Sequence, residues 1–161
     1  MANWCFNMVV FQGEVDQLNK LASIVQKMIN AENAHGKGQL FPMVKADEGY
    51  LFQITYQDGV LCYLTKWQPN TDVLITAADD LGLDYTHNYD EPAMGVYGLD
   101  IYKGGELKEA FITLEDYELY DFDESKSCYL YKGEEYEEIN EVYDLILQEK
   151  LTDLSTNQDA L

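Results

Sequence analysis

His87-Asn88-Tyr89-Asp90-Glu91 sets an imidazole beside two carboxylates, side-chain types that can ligate a metal or move a proton. Asn7, in the first apolar stretch, is the polar residue that a sheet would bring toward them. Asn7, His87 and Asp90 therefore form one candidate cleft, for a small molecule or for acid–base catalysis. A histidine packed at a strand end fits the same residues without any chemistry, and His35, in a glycine-rich loop, supplies no second ligand. Asp121-Phe122-Asp123-Glu124-Ser125 starts like a calcium loop. Lys126 then stands where such a loop needs glycine, and Lys132 where it needs a bidentate glutamate, which excludes an EF-hand. Gly36-Lys37-Gly38 and Gly104-Gly105 lack the spacing of phosphate-binding loops. Cys5, Cys62 and Cys128 are widely spaced and too few for a typical iron–sulfur cluster, so neither cofactor nor metal is expected, and reduced, packed thiols are.

Charge is the extreme feature. Thirty acids against ten bases leave −20 over 161 residues, and every base is lysine. Such a chain repels phosphate backbones and lacks the bidentate arginine fork, which argues against direct nucleic-acid binding. Acids and tyrosines concentrate toward the end: residues 115–161 hold fifteen acids and three lysines. Asp121, Asp123, Glu124, Glu134, Glu135, Glu137 and Glu138 make a candidate interaction face, with Tyr117, Tyr120, Phe122, Tyr129, Tyr131, Tyr136 and Tyr143 interleaved. Acids on a rigid frame could imitate a phosphate backbone and capture a basic, nucleic-acid-binding protein. The competing reading is a solvated acidic face with its tyrosines packed inward.

The elements that position these groups follow from periodicity. Trp4–Phe11 is rich in strand formers. Val15, Leu18, Leu21, Ala22, Val25, Met28 and Ile29 step as the apolar stripe of a helix over 14–33. Tyr50–Tyr56 alternates, Asp58-Gly59 turns, and Val60–Trp67 returns as a hairpin. Pro69-Asn70-Thr71 opens a second helix that stops at Gly82, and a strand over Leu83–Tyr89 follows. That order predicts an α+β fold: a ferredoxin-like βαββαβ sheet over 2–92, with both helices on one face. A hairpin over 94–114 extends it, turning at Lys103-Gly104-Gly105. Beyond it come an acidic extension over 115–151, with a short strand at 127–132 and a docked helix at 134–151, and a frayed end at 152–161. The whole reads as one domain, with the core and its hairpin over 1–114. In this arrangement the first and third strands are expected to run parallel at the centre. Trp4 and Trp67 then fall at opposite ends of the sheet, each sealing one end of the core.

Four segments carry a resemblance: Asn3-Trp4-Cys5-Phe6-Asn7, Gly38-Gln39-Leu40, Tyr63-Leu64-Thr65-Lys66-Trp67-Gln68-Pro69-Asn70, and Tyr97-Gly98. Over residues 2–113 they resemble a family of hypothetical proteins from bacteria, phages and mobile elements that carry a ferredoxin-like domain. The resemblance implies that fold and no established activity, catalytic residue or iron. The acidic tail has no placed counterpart in it. With no apolar run of membrane-spanning length and no basic start before an apolar run, a cytoplasmic protein is expected, without membrane or nucleic-acid partner. The function expected is a non-enzymatic acidic interaction protein, an accessory of a phage or mobile element.

Overall fold

Alternation decides the first strand. In β1 (Trp4–Gln12) Cys5, Asn7, Val9 and Phe11 are buried, while Trp4, Phe6 and Val10 look outward. The computed structural model describes residues 3–158, with side chains through Leu154. The first helix, α1 (Val15–His35), starts on a capping box in which Glu14 and Gln17 satisfy each other's backbone amides. Its inward residues Leu21, Val25 and Met28 join the core. The hairpin forms as β2 (Phe52–Gln57) and β3 (Val60–Lys66), then α2 (Thr71–Leu81) and β4 (Asp84–Glu91) complete βαββαβ. The added hairpin is β5 (Val96–Lys103) and β6 (Glu106–Phe111). One sheet results, ordered β2-β3-β1-β4-β5-β6.

Every neighbouring pair in that sheet is antiparallel, including β1 and β3. This corrects the parallel pairing expected from sequence. The turn at Asp58-Gly59 reverses β3 against β2, and β3 inserts between β2 and β1. β1 and β2, the two ends of the split crossover, therefore share a direction, with β3 running against both. The consequence for position is large. Trp4 sits opposite Lys66, and the Trp67 amide donates to the Asn3 carbonyl at 2.9 Å. The two tryptophan segments converge at one end of the sheet; they do not seal opposite ends.

Both faces of the sheet are used. Helices α1 and α2 cover one, over a cluster that includes Val9, Leu21, Phe41, Leu61, Leu74 and Tyr85. The tail folds as a small antiparallel sheet, β7 (Tyr120–Asp123), β8 (Cys128–Tyr131) and β9 (Glu134–Tyr136), followed by α3 (Ile139–Gln158). Residues Glu134–Tyr136, expected to begin the helix, form a strand instead. Lys132 and Gly133 both take positive φ, 51° and 87°, and so turn the chain back on β8 as a tight hairpin. The helix ends later than expected, running past Leu151 to Gln158, through part of the segment expected to fray. It docks on the face opposite α1 and α2: Leu99 and Ala110 pack with Val142, Ile146, Leu147 and Leu151. Residues alternate along β5, so Leu99 and Ile101 face α3 while Asp100 and Tyr102 face α2.

A polar clamp fixes α3. Lys150 donates to the Phe111 carbonyl at 2.9 Å and to the carboxylate of Asp116, which also accepts from the backbone and hydroxyl of Thr113. Burial alone would push the Asp116 carboxyl up. The Lys150 ammonium and the two Thr113 donors outweigh it and hold that carboxyl below its ordinary value. A carboxyl lowered on folding adds stability above its unfolded value near ~3.9, and that stability is lost as pH falls through the folded value. Replacing Lys150→Met should cost about 1.5–3 kcal/mol in urea unfolding at neutral pH. The gap between variant and wild type should narrow as pH falls below about 4, leaving the share of the Phe111 bond; a gap independent of pH would contradict the clamp.

Candidate binding groove

Asn7 lies at the centre of the sheet with 0% exposure, and its partners fix which way its amide points. Its Nδ2 donates to the Cys5 carbonyl and to Thr65 Oγ1, each at 2.9 Å. Its Oδ1 must then accept, so His87 Nε2, 3.0 Å away, carries a proton and donates. The other imidazole nitrogen faces Asp100 Oδ2 at 3.5 Å, both side chains being 0% exposed, and the same oxygen accepts from Thr71 Oγ1 at 2.9 Å. A polar chain thus crosses four strands, hydrogen-bonded from Thr65 on β3 through Asn7 to His87, continued by the 3.5 Å contact of His87 with Asp100 on β5, and ending in the Thr71 hydrogen bond on the first turn of α2.

The chain's two ends hold one loop. Thr65 Oγ1 donates to the Gln68 carbonyl at 2.7 Å, and Asp100 anchors Thr71. Between them Asn70, 7% exposed, accepts from the Tyr63 hydroxyl at 2.6 Å and donates to the Gly49 carbonyl at 2.8 Å. Every polar group of this loop that turns inward is thereby tied to the core or to the 46–51 loop. What the loop turns outward is Trp67, whose indole is 54% exposed on a backbone with φ 73°. A bulky residue in the left-handed region costs about 1–3 kcal/mol and persists only where its surroundings enforce it.

Three of the four segments singled out in the sequence meet here, at Phe52. Trp4 packs edge-on against its ring at 5.2 Å, and the Lys66 ammonium lies 5.3 Å from its centroid. Gly38 approaches the same ring so closely that an added Cβ would lie 2.6 Å from it. Beside this cluster the 46–52 and 65–73 segments enclose an open groove of about 780 Å³. Tyr50 and Trp67 present aromatic faces to it, and Asp47, Glu48 and Asp72 present carboxylates.

The other expected sites are placed as follows. Asn7 and His87 do meet, but both are sealed from solvent, so no cleft opens onto the imidazole. Asp90 does not join them: it follows Tyr89 by one position on β4 and so lies on the opposite face. There it lines a smaller cleft of about 210 Å³ between the sheet and α3, with Asn88, Asn140 and Asp144. Burial, then the charge of Glu91, pushes the Asp90 carboxyl up. Burial also pushes the Cys5 thiol up to about 12, against the pull of Thr65. Among the described residues no group of three or more His, Cys, Asp and Glu side chains is placed to hold a metal ion.

Of the seven acids nominated in the tail, all but Asp123 are exposed. Asp123 closes its own turn, accepting from the Ser125 hydroxyl at 2.6 Å and the Ser125 amide at 2.9 Å; the hydroxyl bond chiefly holds its carboxyl low. Glu135 pairs with Lys126. The carboxylates of Asp121, Glu124, Glu134, Glu137 and Glu138 have no hydrogen-bond or ion-pair partner among the described residues. The tyrosines mostly turn inward. Tyr97, Tyr117 and Tyr120 pack around the Tyr143 ring with centroids 4.7–6.2 Å away, leaving Tyr117 and Phe122 as the exposed large aromatics of the tail.

Asp100, Thr65 and Thr71 were not recognised as site residues in the sequence. The signal present was Asp100 itself, an acid inside the apolar alternation of β5. If the network positions the groove, Thr65→Val, which keeps the shape and removes the hydroxyl, should destabilise the fold by about 1–3 kcal/mol. It should also shift the Trp67 indole resonance in solution. A Trp67 resonance that stays in place would separate the loop from the network.

A family model described as a ferredoxin-like domain in Api92-like protein matches residues 49–132. The match spans β2 through β8, both segments that flank the groove apart from residues 46–48, and the His87–Asp100 pair. It also enters the acidic tail, for which the sequence had offered no counterpart. No curated protein and no solved structure matches the chain.

Proposed function

The chain belongs to the family of ferredoxin-like domains in Api92-like proteins, and on that footing we propose that it is a non-enzymatic acidic interaction module that captures a basic protein. The observation that carries this reading is electrostatic. A net charge of −20 without a single arginine surrounds a fold whose tail, on and beside the β7–β9 sheet, displays five carboxylates without an ion-pair partner among the described residues. Asp121 and Glu135 both stand opposite Leu130 on neighbouring strands, so their side chains leave the small sheet on one face. Rigid spacing of this kind supports recognition of a surface that itself binds phosphates.

On this reading the partner is a nucleic-acid-binding protein of the host or of the same phage or mobile element, met in the cytoplasm. Long-range attraction speeds the encounter, and aromatic contacts hold the complex. The inward turn of most tail tyrosines reduces the anchors available on that face to Phe122 and Tyr117. The sealed position of His87 and Asn7 leaves the enzymatic alternative without access to the His87 imidazole. No helix among the described residues is long and apolar enough to cross a membrane.

The test is affinity capture from a host lysate, read by mass spectrometry. A basic protein should be retained at about 0.05 M salt and largely released at about 0.3 M, as the screening length shortens. Neutral amide substitutions at Asp121, Asp123, Glu124, Glu134, Glu135, Glu137 and Glu138 should release it at low salt. Equal retention by the substituted protein would contradict the assignment of this face.

A further inference from the structure

We propose that the groove between the 46–52 and 65–73 segments is the seat for an arginine side chain presented by the basic partner. This deepens, and rests on, the reading of the chain as an acceptor of a basic protein, and it assigns the short-range contact that the tail tyrosines do not supply. Four observations converge on it. Trp67 is over half exposed, and its indole makes no hydrogen bond, ring pair or cation–π contact among the described residues. Tyr50 offers a second exposed aromatic, 38% accessible, in the same groove. Asp47, Glu48 and Asp72 line it, and none of their carboxylates has an internal hydrogen-bond or ion-pair partner among the described residues. Set against Lys66, the charged side chains of the groove sum to −2.

Aromatic faces beside unneutralised carboxylates fit a guanidinium better than any other common side chain. It is weakly hydrated, stacks flat on indole and phenol rings, and donates two parallel hydrogen bonds to a carboxylate. The groove already holds one such contact from within the chain, the Lys66 ammonium over Phe52. The backbone argues the same way. A glycine at position 67 would relieve its left-handed conformation, yet a tryptophan is held there by the Thr65, Asn70 and Asn3 hydrogen bonds. The fold gives up local stability to keep an indole facing solvent beside acids.

The test titrates ¹⁵N-labelled protein with a capped peptide of alternating glycine and arginine, and separately with its citrulline counterpart, which keeps the shape and removes the charge. The Trp67 indole N–H and the backbone amides of Tyr50, Gln68 and Asp72 should shift with the arginine peptide and stay still with citrulline. Trp67→Gly removes the ring while suiting the backbone, so this variant should keep or raise its unfolding midpoint and lose about tenfold or more in affinity, as should Asp72→Asn. Shifts confined to the amides of β7–β9, with the Trp67 indole unmoved, would overturn the groove and leave the basic-partner reading standing. Shifts at the groove that survive neutralisation of all seven tail acids would keep the groove and remove the tail face from the proposal. No shift at about millimolar peptide, a range in which even weak contacts register, would overturn both.

Discussion

The Asn7 side chain is the point on which the structure turns. A fully buried amide in the central strand needs donors and acceptors that a sheet's apolar face does not supply, and leaving them unmade costs about 1–3 kcal/mol for each group. Asn7 finds three, one on its own strand and one on each neighbouring strand: the Cys5 carbonyl, the Thr65 hydroxyl and the His87 imidazole. Because its orientation is fixed by a carbonyl, it fixes a proton on His87 Nε2. His87 in turn faces Asp100, and Asp100 holds the first turn of α2. A one-residue slip of β1 would put Phe6 or Met8 in this place and leave the network without its centre. The polar chain therefore specifies register as well as the position of the loop that carries Trp67.

The two faces of the sheet do different work. Under α1 and α2 lies an apolar core threaded by this polar chain, and the residues that end the chain shape the groove. Under α3 lies a second core in which tyrosines pack on one another and a buried carboxylate, Asp116, is paired with Lys150. Edge-on and tilted ring contacts there explain how so many tyrosines sit beside so many acids without an interface to cover them. Most of the phenols are internal, and most of the acids remain in water. Ten lysines cannot neutralise thirty carboxylates, so the surface stays strongly negative whichever pairs form. That field is the condition under which a cationic partner would be drawn first to the molecule and then to a particular aromatic site.

Much of this was legible in the chain. Period-two and period-3.6 patterns located β1 through β6, α1 and α2, and glycines at Gly36 and Gly82 marked the ends of both helices. Direction was misjudged where periodicity carries no information. Alternation says which side chains share a face but not which way a neighbouring strand runs, and that decided whether Trp4 and Trp67 meet. The tail was harder because β7 and β9 are four and three residues long, too short for a period to register, and the Lys132-Gly133 turn between β8 and β9 was passed over. Asn7 and His87 were recognised as neighbours. Their partners Thr65 and Asp100 come from strands that only the sheet order brings alongside, and the sealing of His87 depends on α2 lying above it.

The central claim is that one buried network holds the Trp67 loop as part of the core. Hydrogen exchange of the Asn7 side-chain amide tests it most directly. If the network is continuous, these protons are reached by water only through global unfolding, and their exchange free energy equals that of the backbone amides of Val9 and Leu61. Exchange far faster than those core amides would show that the loop opens by itself, and the network would then be a local hydrogen-bond cluster with no hold on the groove.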